Sequence, residues 1–350
     1  MAERYAADQL VGFTSRLFER AGLDPDKATT TATLLVEADL MGHTTHGLNL
    51  AGPYLEEIEA GHMARTGAPE VIADRGPTVT WDGCRLPGVW LTASALELGL
   101  ERARRYGMAA IAIRRSAHVG CLAAYLPRAT EQGCMAIIAS SDPSEASVAP
   151  FGGTRAVVTP DPIAAGIPTE GDPILVDISA SISTNGMTGR YHQEGRKLPG
   201  RWVLDAQGHA TDDPAVLFTD PPGTILPIGG VEYGHKGFGL ALIIEALTQG
   251  LGGFGRVEAP PEWGASVFVQ VLDPEAFSGL PAFRRQTAWL AQATRTNPPQ
   301  PGVERVRLPG DGAMARKRAA LANGLELYPG IIDQLRDWAS RLRVAVPQPL

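Results

Sequence analysis

Lysine is nearly missing from this sequence. Lys27, Lys197, Lys236 and Lys317 are the only four among 31 basic residues, and the other 27 are arginines. Cysteine is scarce as well: Cys84, Cys121 and Cys134 stand alone, form no CxxC pair and cannot all pair with one another. That excludes a disulfide framework and leads us to expect a reduced, cytoplasmic chain. No apolar stretch reaches the roughly 18 uncharged residues of a membrane span. The opening MAERYAADQL has no apolar heart of a secretion signal. Positive charge is lacking overall, and a formal charge of −7 argues against nucleic acid as a partner, because phosphate binding needs a basic face. The short clusters Arg102–Arg105 and Arg114–Arg115 read as solvated helix and strand ends. Repeats and Gly/Ser runs are also lacking, although there are 40 glycines and 28 prolines in 350 residues. A loop-rich α/β chain remains, rather than a disordered or solenoid one.

The order of elements is legible from periodicity. Leu10, Phe13, Leu17 and Phe18 recur at helical spacing over 6–21. Asp24 is placed to cap a second helix with Pro25 in its first turn, and LLVEADLMG carries it to a stop at Gly42. A third helix over 51–60 tolerates Pro53 only in its first turn. From residue 70 the period changes: PEVIAD and TVTWDG read as a β-ribbon, 89–106 as a helix and MAAIAIRR as a strand. LAAYLPRATEQG then reads as a helix and CMAIIASS as a strand. Apolar strands alternating with helices predict a sheet covered by helices. ILVDIS and ASVFVQVLD add strands, 186–236 reads as a turn-rich region, and GLALIIEALTQG as an apolar helix beginning near Gly237. Helices return at 312–323 and 330–342, with soft boundaries near 70, 120, 235 and 305.

Histidine carries the chemistry most plainly, because imidazole alone titrates near neutral pH unperturbed. His43 and His46 sit in GHTTHG between two helices. His118 in RRSAHVG follows an apolar strand, where α/β proteins open their ligand crevice; the alternative for it is capping or packing. His62, His192 and His209 lie in polar loops and read as surface residues. Two imidazoles three residues apart could share a metal, but zinc needs a third ligand and no HExxH or nearby carboxylate cluster supplies one. No metal is expected. In IGGVEYGHKGFG, helix-start N–H groups and the Lys236 ammonium would suit a phosphate, against the alternative of a glycine turn packing a buried helix. The segment matches neither GxxxxGK[ST] nor GxGxxG. Glu245, inside an apolar helix, would be costly unpaired and is expected to orient a partner. No GxSxG elbow supports a serine hydrolase, and Cys121 beside His118 lacks an explicit base and orienter for a thiolate nucleophile.

Together these motifs resemble the type-2 malate/L-lactate dehydrogenase family of NAD(P)-dependent oxidoreductases, which includes ureidoglycolate and sulfolactate dehydrogenases and cyclic ketimine reductases. The resemblance rests on ADLMGHTTHG with Tyr54 beyond it, SAHVG, SVAPFGG followed by PIAAGIP, ILVDIS, WVLDAQGHATDDP, LPIGG…GHKGFGLALIIEAL and VRLPGD. It implies an α/β, non-Rossmann NAD(P)-binding fold of mixed sheets, with a helical domain drawn from both chain ends. The implied division is 1–70 plus 305–350 (helical), 71–120 plus 235–304 (sheet and dimerisation) and 121–234 (nucleotide-binding), in a homodimer.

By the same resemblance His46 and His118 are the catalytic histidines and Thr45 accompanies the first of them. Leu50 and Tyr54 fall at substrate positions. His235 and Lys236, the strand end Asp177, Ile178, Ser179, Ala180 and Ser181, the loop Pro309, Gly310 and Asp311, and Ser141 fall at contacts to NAD or NADP. The implied reaction transfers hydride between nicotinamide and a small carbonyl/hydroxyl substrate, while a histidine with a pKa near working pH moves the proton. Reduction of a cyclic imine is the alternative, and a non-redox binding relative is a reading of another class. The departures gather around the ligands: Leu50 stands where many members carry arginine, Thr159-Pro160-Asp161-Pro162 replaces GTNP, Met187 replaces a lysine and Ala117 an asparagine. A leucine cannot grip a carboxylate as a guanidinium does, so a less anionic or larger substrate than malate or lactate is expected.

Overall fold

A computed structural model describes residues 3–350. In chain order, β1 (Arg4–Tyr5), α1 (Ala7–Arg20), α2 (Pro25–Met41) and α3 (Ala51–Glu59) lead into β2 (Glu70–Asp74), β3 (Thr78–Asp82), α4 (Gly88–Tyr106) and β4 (Met108–Ser116). Then follow α5 (Leu126–Thr130), β5 (Met135–Ser141), β6 (Pro162–Ile167), β7 (Ile174–Ser179) and α6 (Asn185–Gln193). The short strands β8 (Val203–Leu204), β9 (Ala210–Thr211) and β10 (Thr224–Ile225) precede α7 (Gly230–Glu245) and β11 (Ala265–Leu272). The chain closes with α8 (Leu280–Arg295), α9 (Asp311–Asn323), β12 (Leu325–Glu326) and α10 (Ile331–Leu342).

Seven strands form one mixed sheet in the order β2-β3-β4-β11-β5-β6-β7. Only β3 and β4 pair in parallel, joined through α4; the other pairings are antiparallel. The central strand β11 is buried along most of its length, which its unbroken apolar run requires. It bonds β4 on one side and β5 on the other, so strands from both sides of residue 120 share one sheet. Helices from both chain ends come together: α9 packs on α2, α10 on α1 and α3, and β1 pairs with β12. Phe13, Leu17, Phe18, Leu35 and Leu55 are fully enclosed there, each side chain contributing about 1.5–3 kcal/mol by leaving water. A second core under β8 and β10, built on Val203, Ile225, Ile244 and Phe268, packs on the opposite side of the sheet.

Several expectations needed correction. The long apolar helix does not begin near Gly237 but at Gly230, behind Gly229 in the left-handed region at φ 97°. The turn-rich region 186–236 also holds most of α6 and the small three-stranded sheet. LAAYLPRATEQG splits into a 3-10 turn and the short α5, where Pro127 can enter only a first turn. Asp24 stands at the start of α2 without bonding a backbone N–H, because its carboxylate receives Lys27 at 2.8 Å. Arg114 and Arg115 are not simply solvated: both reach the buried Asp82, at 3.1 and 3.3 Å. β6 and α8 carried no clear pattern, and their residues are mostly half-exposed. Among the described residues no helix is long and apolar enough to cross a membrane.

Candidate active site

The site begins where α2 stops. Gly42, at φ 90°, ends the helix and throws His43–Gly47 into a tight turn held by the His46 N–H on the His43 carbonyl at 2.9 Å. Below that turn lies Asp39, from the last turns of α2, whose Oδ2 accepts the Leu48 N–H at 2.7 Å. Gly47 is required here, because a Cβ on it would collide with the Asp39 carboxylate. Burial pushes that carboxyl up to about 7, opposed by the Leu48 N–H and the Arg190 charge, and its Oδ1 has no partner among the described residues. Sequence reasoning quoted Asp39 within its motif without giving it a role. An acid inside an otherwise apolar helical run was the available signal.

The end of β4 delivers the second histidine. After Ser116 the Ala117 N–H bonds the Leu86 carbonyl at 3.1 Å, and His118 emerges opposite His46 with ring centroids 6.0 Å apart. Tyr54, on α3 and 64 positions earlier, places its hydroxyl 2.8 Å from His118 Nδ1 and 3.3 Å from the His118 carbonyl oxygen. The Gly120 N–H also points at Nδ1, at 3.3 Å. Tyr54 is 1% exposed, so it stands behind His118 rather than open to a substrate. Trp263 stacks on the His118 ring at 4.6 Å, and Arg85 holds its carbonyl at 2.9 Å. Nothing in the sequence marked Trp263, which comes from a proline-rich loop far from either histidine.

Both histidines depart from the expectation of a pKa near working pH. Burial pushes His118 down to about 3, helped by His46, and pushes His46 down to about 4, helped by His43 and Arg190. Both rings are therefore neutral at physiological pH. His46 Nδ1 lies 2.8 Å from the Thr45 hydroxyl, and the first turn of α6 rests on this pair through Gly186. From the same helix, Arg190 donates to the Thr44 hydroxyl at 3.0 Å and its carbonyl at 3.3 Å, and stacks on Tyr328. Leu50 packs against the main apolar core.

The expected cofactor residues fall into separate groups. Ala180 and Ser181, at the end of β7, bond the Pro160 carbonyl, and Ile228 donates to the Ala180 carbonyl at 2.8 Å. Helix α7 lies against this strand end through Gly237, where a Cβ would come within 2.6 Å of the Ala180 oxygen. His235 and Lys236 are exposed on the second turn of α7, beside Phe151 and Tyr233 respectively. Ile178 is exposed and Ser179 half-buried. Pro309, Gly310 and Asp311 lie at the opposite end of β7: the Leu175 N–H bonds the Pro309 carbonyl at 3.0 Å, about 13 Å along the strand from Ser179. Asp311 is held by Arg295 at 2.6 Å, and Pro309 lines an open groove of about 600 Å³ with Arg305 and Arg307.

Ser141 is enclosed in a polar network. Its hydroxyl donates to Glu245 at 2.8 Å and receives Gln249 at 3.1 Å, while Arg256 holds the same Glu245 oxygen at 2.7 Å. Glu245 is thus an orienting group, as its place in an apolar helix required. Asp161 closes the network through the Thr159 hydroxyl at 2.6 Å, and burial beside Glu245 raises its carboxyl. Asp177 points inward as well: its Oδ2 accepts the Ala123 N–H at 2.9 Å and lies 3.6 Å from Cys121 Sγ, with the His43 ring close by. The Cys121 thiol therefore faces Asp177 and His43 rather than His118.

Comparison with known proteins places nearly the whole chain in a family. A family profile described as malate/L-lactate dehydrogenase matches residues 5–336. The L-lactate dehydrogenase of Cupriavidus necator is 30% identical over 329 residues, covering 92% of this chain and 93% of that one. A malate dehydrogenase structure from Entamoeba histolytica superposes with a TM-score of 0.94 over 99% of this chain and 100% of that one, a likeness of fold at 23% identity. The delta1-piperideine-2-carboxylate reductase of Pseudomonas syringae pvar. tomato superposes with a TM-score of 0.84 at 26% identity, over 96% and 100%.

Proposed function

The chain belongs to the malate/L-lactate dehydrogenase family and is an oxidoreductase, and from that premise we propose that it transfers hydride between NAD or NADP and a small hydroxy or oxo compound at the His46–His118 cleft. The observation that carries the proposal is a pair of facing imidazoles, His46 and His118, 6.0 Å apart, with the Tyr54 hydroxyl behind His118 at 2.8 Å from its Nδ1. A nicotinamide, when bound, supplies or accepts the hydride at carbon.

This chain's own residues handle the proton. With the proton on Nδ1, His118 donates to the Tyr54 oxygen, and Tyr54 donates to the His118 carbonyl. Nε2 then carries the free lone pair that takes the hydroxyl proton of an alcohol substrate. With the proton on Nε2, the Tyr54 hydroxyl donates to Nδ1 instead, and Nε2–H polarises a carbonyl. The Gly120 N–H, aimed at the same Nδ1 from 3.3 Å, favours this second tautomer at rest, and the neutral state that burial imposes is compatible with the work. His46, fixed by Thr45, faces the same space and orients the substrate oxygen.

The strand end at Ser179–Ser181 and the neighbouring His235 and Lys236 fit the cofactor's phosphates. Lys27, Lys197 and Lys317 are ion-paired, whereas Lys236 is exposed and in no ion pair among the described residues. A dinucleotide phosphate is the partner its charge would find there. The piperideine-2-carboxylate reductase among the similar structures favours a cyclic imine as the second reading, because such a substrate needs the same proton donor. A homodimer is proposed from α7, which leaves Leu242 and Ile243 more than half exposed. The cytoplasm is proposed from three free cysteines.

NADH and NADPH, added separately to the purified protein, test the proposal by nicotinamide fluorescence, followed by absorbance decay with 2-oxo acids, ketones and cyclic imines. Binding of one cofactor, weakened at least tenfold in Lys236→Ala, and turnover abolished in His118→Ala are expected. Absence of binding by either cofactor at sub-millimolar concentration overturns it.

A further inference from the structure

The sequence offered His43 and His46 as two imidazoles in want of a third metal ligand, and the fold gives His43 different company. One donor atom each from His43, Cys121 and Asp177 lie within 4.8 Å of one another, and the Cys121 Sγ to Asp177 Oδ2 edge is 3.6 Å. Zinc bonds of about 2.0–2.3 Å put tetrahedral donors about 3.3–3.8 Å apart. The sulfur–oxygen edge already meets that, and the imidazole has to close by at most about 1.5 Å on the same geometry. His43 is free to do so, since its ring has no hydrogen-bond partner among the described residues and it stands on the turn after α2 rather than within the helix. The three donors come from three separate segments: the turn after α2, the segment after β4 and the strand β7. Asp177 is oriented by the Ala123 N–H, the kind of supporting bond that fixes a ligating carboxylate.

We propose that His43, Cys121 and Asp177 form a binding site for a thiophilic divalent cation, Zn2+ in particular, with a fourth position open to solvent. Thiolate with imidazole selects zinc over magnesium or calcium, whose ligands are oxygens. On binding, the Cys121 S–H bond gives its electron pair to the metal and its proton to the buffer. The site is coupled to the histidine cleft by chain geometry alone. His43 lies three residues before His46 and Cys121 three residues after His118, so drawing His43 toward Cys121 shifts the turn that holds His46. Zinc is therefore a reversible inhibitor of whatever reaction the two histidines perform. The site itself does not depend on the cofactor reading.

The test uses the full-length protein, stripped with a chelator and titrated with Co2+ alone. One equivalent should bind with a near-ultraviolet thiolate-to-cobalt charge-transfer band, and Zn2+ should displace it. Cys121→Ser should abolish the band, His43→Gln should weaken Zn2+ binding at least tenfold, and His46→Gln should leave both intact. Circular dichroism establishes that each variant is folded. Cobalt binding without a thiolate band, a band that survives in Cys121→Ser, or no binding at micromolar metal overturns the site. If the site holds but Zn2+ leaves turnover unaffected, the coupling to the cleft is overturned. A protein that binds metal but neither nicotinamide cofactor would instead refute the proposed reaction and leave this site standing.

Discussion

Asp39→Asn separates the role of a buried charge from the role of a buried shape. The carboxyl is nearly enclosed beneath the His46 turn, and burial holds its midpoint near 7 instead of the ordinary 3.8, against the Leu48 N–H and Arg190 that favour ionisation. A raised carboxyl stabilises the fold fully below pH 3.8, and that contribution is lost as pH rises through 7, because the native state keeps a proton the unfolded chain has released. At about 1.4 kcal/mol for each tenfold change, the loss amounts to at most about 4 kcal/mol by pH 8. Asparagine keeps an oxygen for the Leu48 N–H and does not titrate. Its amide NH2 meets the side where Asp39 Oδ1 has no partner, which costs about 1–3 kcal/mol at every pH. The stability of the variant relative to wild type should therefore climb steadily between pH 4 and 7 and then level off. Urea unfolding at fixed protein concentration, followed by circular dichroism from pH 4.5 to 8, measures this. The titrations of His46 and His118 are common to both proteins and drop out of the difference. A difference that stays flat within about 1 kcal/mol across that range refutes the buried, proton-holding carboxyl.

Two further outcomes follow from the same site and from α7. Tyr54→Phe removes the hydroxyl 2.8 Å from His118 Nδ1 and should lower kcat on the order of 100-fold, as expected for a lost proton-transfer partner, with stability reduced by about 1 kcal/mol. Cofactor fluorescence titration should show unchanged affinity, and a kcat within twofold of wild type removes Tyr54 from the proton path. Ile243→Glu places a charge on the exposed apolar face of α7, where Leu242 and Ile243 are 52% and 56% exposed. Sedimentation should show a homodimer becoming a monomer, while the same change at Trp289 on α8 should leave assembly unaltered; the reverse pattern moves the interface to α8.

What the sequence made legible was local, and what it hid was convergence. The strand ASVFVQVLD was readable because burial in the middle of the sheet demands an apolar run, and ILVDIS because β-branched and aliphatic residues lead it even at the sheet edge. The second helix was readable because Pro25 and Gly42 punctuate it. The start of α7 was not, because Gly229, Gly230, Gly234, Gly237 and Gly239 read as a loop, while packing of the helix against β5 and against the Ala180 end of β7 overrides their weak propensity. At the site, His46 and His118 were visible from motif and strand position, but their neighbours come from elsewhere in the chain. Trp263 arrives on His118 from a loop with no period, and Arg190 reaches Thr44 across 146 positions. The neutral state of both imidazoles was illegible for the same reason, since it follows from how completely other segments enclose them.

Substrate charge is where these long-range contacts weigh most. Leu50 does more than fail to supply a guanidinium, because its side chain joins the main apolar core and so leaves no empty place for one. Arg190 is the cation whose charge reaches both His46 and Asp39, yet its donors are engaged by Thr44 and its plane by Tyr328. A substrate carboxylate seeking a bidentate grip would compete with the Thr44 contacts, which are themselves charge-assisted. On His118 itself lies Trp263, stacked at 4.6 Å, which lays an aromatic face against the imidazole. A cleft with one tethered cation and one aromatic wall favours a ring or a longer carbon chain, held by contact area, over a compact dicarboxylate held by charge. On that argument we propose that Leu50 and Trp263 govern which carbon skeleton this chain accepts, while Tyr54, His118 and His46 move the proton.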